Sequence, residues 1–553
     1  MSIYNDIIKL SRYILTWRLF YIVILLTCIK WRHHSETLSE HYRRIVHVNK
    51  LLRESDDSYK INVDISDKIG PIRKISYNGC IYYKNYTSTL KISIILTIHN
   101  EALSVVLRTL ESIRINTNVD NLKEIIIVDD KSTTLDFVSY DTLESNDKFK
   151  VLKESILFTK TQLDLLLGGD VSFESFLVHL HNVKFIRNKN RIGLIKSRIV
   201  GADAAKGDVL VFMDAHIECL MGWEKPILHV IEFNPTMIVQ PTVDEISPIT
   251  LEYQIMNPYM LTGGISWDLR YVWMEPMKTR YLNRLMQKHK QFNDTLIPTL
   301  SIVGCTFAVN RQHFFDIGGF DGYMNIWGGE NIEISLKNWL SGNEVMTNAC
   351  SHVGHIFKDF SYSFNGNKLE IIQKNVNIIA EIYMDEWNKY FYAVTQYKHG
   401  EINKKIQNDI NYKNYIRNQK IFINLRKIHN FDWLYRNFIP NYPIPQQYMV
   451  LFGEVFTLNS KTCLDLSSEQ IYFSNCFHHR LQTESYFYLT NDGYFCIYQN
   501  QKCLMYDGMN EHFVFTSNEP DETVMFNIYK WKSTVIEYSQ NSPIVTIHPI
   551  GKF

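Results

Sequence analysis

Apolar residues along this chain gather in runs that suit strands buried on both faces. Lys91-Ile92-Ser93-Ile94-Ile95-Leu96-Thr97-Ile98 is β-rich and ends at His99-Asn100-Glu101. A helical spacing follows at Val105, Val106, Leu107, Leu110 and Ile113, and then a second run, Glu124-Ile125-Ile126-Ile127-Val128, closes on Asp129-Asp130. Strand, helix and strand in this order predict a parallel sheet with crossover helices. The pattern resumes with a strand over 183–186, a helix over about 193–205, and the buried run Asp208-Val209-Leu210-Val211-Phe212-Met213. Residues 132–181 fit neither period well. They hold a short apolar stretch at 161–167 before Gly168-Gly169 and read as a surface insertion.

A different apolar run lies near the N-terminus. Residues 19–29 are uninterrupted, and extension back to Tyr13 brings the segment near the lower limit for spanning a bilayer, with Arg18 snorkelling. No small-residue cleavage signal follows, only Lys30-Trp31-Arg32-His33, so 13–29 reads as an uncleaved signal-anchor rather than a signal peptide. Residues 1–12 would be a short tail and 30–75, polar and charged, a stem. Lys9 and Arg12 before the segment and Lys30 and Arg32 after it leave its orientation open.

Composition adds limits. The chain has 553 residues, 45% hydrophobic and 13% aromatic, which is enough for several domains with sizeable cores. Lys+Arg and Asp+Glu are equal at 58 each, a balance that gives no support for a nucleic-acid partner. The nine cysteines show neither CxxC nor zinc spacing. The sequons Asn85-Tyr86-Thr87 and Asn293-Asp294-Thr295, together with the anchor, suit a secretory lumen where disulfides persist.

The candidate chemistry sits at strand ends. Asp214-Ala215-His216 terminates the third buried run, and side chains two apart on a strand share a face, so this pair can grip one divalent cation. A carboxylate with a neutral imidazole suits a borderline metal such as Mn²⁺ better than a thiolate-loving one. Thr97, His99 and Asp129 fall at corresponding ends, where ligands of such sheets gather. Arg187, Lys189, Arg191, Lys196 and Arg198 follow in and beyond a basic loop. The last two suit either a solvated helix face or phosphate neutralisation. In the second half, Gly263-Gly264-Ile265-Ser266-Trp267 and Gly318-Gly319-Phe320-Asp321 precede Trp327-Gly328-Gly329-Glu330-Asn331, which leads into a helix over 332–340. Paired glycines before an acid allow close backbone approach to a ligand, or simply make a loop before a helix. His355, in Cys350-Ser351-His352-Val353-Gly354-His355-Ile356-Phe357-Lys358, is a candidate third metal ligand.

These stretches carry a resemblance. Residues 94–112 (IILTIHNEALSVVLRTLES), 124–130 (EIIIVDD), 191–223 (RIGLIKSRIVGADAAKGDVLVFMDAHIECLMGW), 263–267, 327–335 (WGGENIEIS), 350–357 (CSHVGHIF) and 380–392 (AEIYMDEWNKYFY) are similar to the polypeptide N-acetylgalactosaminyltransferases. The similarity runs in order over about 75–440. It implies an α/β chain, with a GT-A nucleotide-diphospho-sugar transferase domain over 76–440. A ricin B-type, β-trefoil-like lectin domain, incomplete or degenerate, would follow over 446–553. It also implies transfer of GalNAc from UDP-GalNAc to Ser or Thr hydroxyls of polypeptides with retention, and a single-pass type II protein of the Golgi membrane with a lumenal catalytic domain. Mn²⁺ would be held by Asp214, His216 and His355. Thr97, His99, Asp129 and Arg191 would contact the nucleotide, and Lys358 and Tyr362 the donor. Glu330 and Asn331 would meet the transferred sugar, with Trp327 closing the site, and Tyr271, Trp273 and Phe357 would line the acceptor-peptide groove. Cys80 and Cys350 match a family disulfide, Cys463 and Cys476 a lectin-repeat pair, and Asp465 the sugar-binding position of that repeat.

The chain also departs from the family pattern. Lys358 and Lys196 stand at usual Arg positions, Ile192 at a Glu, Asn325 at an Asp and Gly304-Cys305 at a Gly-Gly pair. A second family disulfide would fall at Ser341 and Ile428, neither of which is Cys. Two further readings therefore stand beside an active transferase: a family member that has lost catalysis and serves as a binding or regulatory partner, and a GT-A enzyme using another UDP-sugar.

Overall fold

The computed structural model describes residues 61, 80–132, 182–276, 278–358, 364, 366–440 and 444, and thereafter only the backbone of short strands between 449 and 547. The expected tail and anchor, the stem apart from Ile61, the insertion over 132–181 apart from Ser132, and Tyr362 lie outside the described residues. Among the described residues, no helix is long and apolar enough to cross a membrane.

The central feature is a ten-stranded sheet. Its first strand, β1 (Ile92–Ile98), is buried at every position. Helix α1 (Leu103–Asn116) returns the chain to β2 (Leu122–Asp129), β3 (Val183–Arg187) follows, and α2 (Leu194–Ala204) leads into β4 (Val209–Asp214). β1 runs parallel to β2 and β4, and β2 to β3, which matches the expected parallel unit. The strand order β3-β2-β1-β4 reverses direction between β1 and β4. Crevices of open α/β sheets form at such a reversal, beyond the strands' carboxyl ends.

The rest of the sheet is mixed. After β5 (Ile217–Cys219) and α3 (Glu224–Phe233) come β6 (Ile238–Ile246), the short β7 (Tyr253–Gln254), and a separate hairpin of β8 (Thr262–Ile265) and β9 (Tyr271–Met274). Helix α4 (Arg280–Lys288), β10 (Leu296–Pro298), β11 (Thr306–Asn310), α5 (Arg311–Asp316), α6 (Glu330–Leu340) and β12 (Val345–Ile356) complete the sheet side. β11 is antiparallel to both β4 and β6, so beyond the expected parallel unit the sheet is mixed. The side chains of β11 are buried up to Asn310, as its central place demands. β12 pairs in parallel with β6 and antiparallel with β5 and β10.

Helices α7 (Lys368–Tyr383), α8 (Asn388–Asn408), α9 (Ile410–Asn424) and α10 (Phe431–Phe438) join the same core. The disulfide Cys80–Cys350 forms as expected and ties the start of the domain to β12. Ser341 and Ile428, where the second disulfide would fall, are brought close by main-chain bonds from Ile428 N and His429 N to Leu340 O, at 2.8 and 2.9 Å.

From 449 onwards the described strands form two five-stranded antiparallel sheets, an all-β arrangement. Asp465 lies on the strand Thr462–Ser467, with Tyr472 opposite it on Gln470–Asn475. Cys476 is outside the described residues, so the Cys463–Cys476 pairing is too.

Candidate active site

Thr97 near the end of β1 is level with Asp214 at the end of β4. Asp214 and His216 leave β4 on one side, and β12 brings His355 in from the other because its pairing with β5 places His355 opposite Ile217. Ligand atoms of the three residues lie within 4.8 Å of one another. Asp214 Oδ2 is 3.4 Å from His355 Nε2 and 4.0 Å from His216 Nε2. Neighbouring ligands of a six-coordinate ion with bonds of about 2.1 Å stand about 3 Å apart, so one cation fits after a small contraction.

The polar groups point to the same conclusion. His355 is buried, yet neither of its ring nitrogens has a hydrogen-bond partner among the described residues. Burial, helped by His216 and Lys358, pushes its pKa down, which keeps the ring in the neutral form that ligates. His216 Nδ1–H donates to Glu101 Oε1 at 3.1 Å, leaving Nε2 free to bind. Burial alone would raise the Asp214 carboxyl, but His355, Arg198 and His216 outweigh it and hold it below the usual value. A carboxylate and two imidazoles thus converge, and this donor set suits Mn²⁺.

Beside the triad, Asp130 organises the loop after β3. Its carboxylate accepts from Ile192 N and Gly193 N at 2.7 and 2.8 Å. Gly193 has φ +88°, and a Cβ there would lie 2.2 Å from the Cα of Ile326, so only glycine permits this crossing. Asp129 Oδ1 accepts from Ser132 N at 3.0 Å, and Arg187 approaches Asp129 at 3.3 Å. His99 Nδ1–H donates to Asp130 O at 2.9 Å, and Arg191 donates to His99 Nε2. Burial and the Arg191 charge lower the His99 pKa. The buried Thr97 hydroxyl has no partner among the described residues. The four expected nucleotide residues therefore line one end of the sheet.

Glu330 opens α6 and is buried. Burial raises its pKa, Arg198 opposes that, and Gly328 N donates to its Oε2 at 3.1 Å. Asn331 Nδ2 donates to Ile302 O at 3.0 Å. The half-buried Trp327 lies just ahead of Gly328 and Gly329, both at positive φ. On the other flank Tyr271 and Trp273 pack edge to face at 5.2 Å, and Phe357 packs against the His355 ring at 4.5 Å. Trp273 and Phe357 line a cavity of about 310 Å³, which Tyr271 does not line.

The sequence matches Glycosyl transferase family 2 over residues 173–317 and the N-terminal domain of galactosyltransferase over 288–359. Human polypeptide N-acetylgalactosaminyltransferase 13 is 30% identical over 448 residues, spanning 79% of this chain and 70% of its own. The chain belongs to the polypeptide N-acetylgalactosaminyltransferase family. Mouse polypeptide N-acetylgalactosaminyltransferase 4 is 30% identical over 76% of this chain and 64% of its own. A crystal structure of GalNAc-T7 with UDP, GalNAc and Mn²⁺ superposes with a TM-score of 0.57 at 25% identity, covering 85% of this chain and 80% of that one.

In this polypeptide N-acetylgalactosaminyltransferase, several residues without an assigned role in the sequence analysis hold the site together. Arg198 is neither on a solvated face nor a free phosphate ligand: it is 1% exposed and donates to Asp214 Oδ1 at 2.9 Å, Gly304 O at 2.7 Å and Glu330 Oε1 at 3.4 Å. Lys196 instead donates to Asn325 Oδ1 at 2.8 Å, so two departures from the family pattern meet each other. Glu101 holds Lys358 through both oxygens at 2.8 Å as well as His216. The contacts with His216 and Lys358 override the effect of burial and bring the Glu101 pKa down to about 2. Asn375 on α7 accepts from Asn325 N at 2.9 Å and donates to Asn325 O, Trp327 O and Gly328 O at 2.8, 3.2 and 3.1 Å. Glu101 and Asp130 were discoverable as carboxylates just past strand ends. Arg198 and Asn375 carry no such signal.

Proposed function

We propose that this chain transfers GalNAc from UDP-GalNAc to Ser or Thr hydroxyls of polypeptides, with retention and with Mn²⁺ held by Asp214, His216 and His355. The observation that carries the reading is the buried His355, orphaned at both nitrogens, converging with Asp214 and His216 at the sheet crevice of a chain of this family. Bound there, the metal would neutralise the departing diphosphate.

The chain's own residues supply the rest. Thr97, His99, Asp129 and Arg191 bind the nucleotide, and Arg191 keeps His99 neutral as an acceptor. Lys358 adds positive charge beside the triad as the diphosphate develops negative charge, and Tyr362 is a further candidate donor contact. Glu330 and Asn331 orient the transferred sugar, and Trp327 covers it. Tyr271, Trp273 and Phe357 receive the acceptor, whose hydroxyl proton passes to the leaving diphosphate. Asp465 is the candidate lectin contact. The Cys80–Cys350 disulfide fits an oxidising lumen, and the segment 13–29 supports a type II Golgi membrane location.

The test uses the full chain in detergent with UDP-GalNAc, UDP-galactose or UDP-GlcNAc and a panel of naked and GalNAc-bearing Ser/Thr peptides. The expected result is peptide glycosylation from UDP-GalNAc that is lost on chelation and restored by Mn²⁺. Preferred use of another donor would overturn the donor assignment. UDP binding without turnover of any donor would favour a non-catalytic partner role.

A further inference from the structure

The cavity beside the triad has one chemical irregularity. Its walls are mostly apolar, formed by Val243, Met256, Pro258, Leu261, Trp273 and Phe357. A single charged residue, Glu245, also lines it. Glu245 is exposed and makes no side-chain hydrogen bond or ion pair with any other described residue. No Lys or Arg among the described residues lines the cavity. In the β12–β6 ladder Glu245 stands beside His355, yet it is not one of the clustered metal-ligand groups. Phe357 spans the two regions, lining the cavity while its ring meets His355 edge-on at 4.5 Å.

We propose that Glu245 sets acceptor choice: the cavity takes an apolar flank of the acceptor segment, and Glu245 selects a Lys or Arg at one position near the modified Ser or Thr. This rests on the reading of the cavity as the acceptor groove. An unpaired carboxylate in an apolar wall attracts a cation and repels an acid, and discrimination by such a contact is largely electrostatic. An exposed ion pair contributes modestly to binding and a like-charge contact costs a similar amount. A Lys-to-Glu exchange in the acceptor should therefore change kcat/KM by about tenfold, and the effect should shrink as salt shortens the Debye length to a few Å.

The experiment compares acceptor peptides carrying Lys, Gln or Glu at each flanking position in turn, using the full chain, UDP-GalNAc and Mn²⁺. Peptide affinity is measured in parallel by fluorescence anisotropy with UDP and Mn²⁺ present. At one position the order Lys, Gln, Glu is expected in both kcat/KM and affinity. Glu245→Gln should flatten the order and Glu245→Lys should invert it. Transfer with no charge preference at any position, or a preference unchanged in both variants, overturns the proposal and leaves the transferase reading intact. Absence of transfer together with a Glu245-dependent affinity order would sink the transferase reading alone. Absence of both would sink the two together.

Discussion

Arg198→Met is the perturbation whose size the structure best defines. The guanidinium is 1% exposed and links Asp214, Glu330 and the carbonyl of Gly304. Methionine fills similar space without charge, so two carboxylates lose their counter-ion. Breaking a buried pair from one side costs about 3–5 kcal/mol. Two features hold the figure near the lower end. The Asp214 side chain keeps 23% exposure, and Glu330, already raised by burial, can take up a proton. Protonating a carboxyl of ordinary pKa at pH 7 costs about 3.7 kcal/mol, which caps the Glu330 share. We expect a loss of about 3 kcal/mol, or roughly 4 °C in Tm for a domain of this size. The loss should be smaller near pH 5, where protonating Glu330 is easier. Because Arg198 also fixes Asp214, Mn²⁺ affinity read by electron paramagnetic resonance should fall about 10- to 100-fold. Adding Glu330→Gln should recover part of the stability, since it removes one unpaired charge. A Tm within about 2 °C of wild type, no recovery in the double variant and unchanged Mn²⁺ affinity would refute the reasoning.

Three further outcomes follow from other contacts. Glu101→Gln, which keeps an acceptor for His216 but frees Lys358, should weaken Mn²⁺ binding about tenfold, whereas Glu101→Ala should weaken it more; equal, wild-type affinities would exclude a positioning role. Asn375→Ala removes an amide serving four main-chain groups of the Asn325–Gly328 turn, and should lower kcat at least about tenfold through misplaced Glu330, with a stability loss of about 2–4 kcal/mol, checked by steady-state kinetics and thermal melting. Glu344 has its pKa lowered because His289 and Lys288 overcome the effect of its burial. Its stabilisation is therefore full above the unfolded carboxyl value and lost as pH falls through the lower folded value, so the Tm gap between wild type and Glu344→Gln should narrow below about pH 4.5.

The parts of the fold legible in the sequence are those set by local apolar runs. β1, β2 and β4 are buried end to end or nearly so, and unbroken Ile/Val/Leu runs announce such strands. Strand-end chemistry was readable for the same reason, since Asp214 and His216 follow one of those runs. His355 was readable only as a candidate third ligand, because its approach depends on pairing between β12 and β5, more than a hundred residues apart. The antiparallel β11 was missed: Thr306–Asn310 is short, and direction within a sheet is a non-local property. Arg198 misled because it lies within the buried stripe of α2, beside Leu194, Ile195, Gly201 and Ala202, where a cation is not expected. Asn375 acts on a turn 48 residues upstream of it, as its bond to Trp327 O shows, and no spacing rule links them.

The most direct test of the central claim is to follow one reaction by nuclear magnetic resonance, with the full chain, UDP-GalNAc, Mn²⁺ and a Ser/Thr peptide. The account predicts stoichiometric release of UDP and appearance of α-linked GalNAc on the hydroxyl, both abolished in His355→Ala. Undiminished transfer by His355→Ala, or product of inverted configuration, would contradict it.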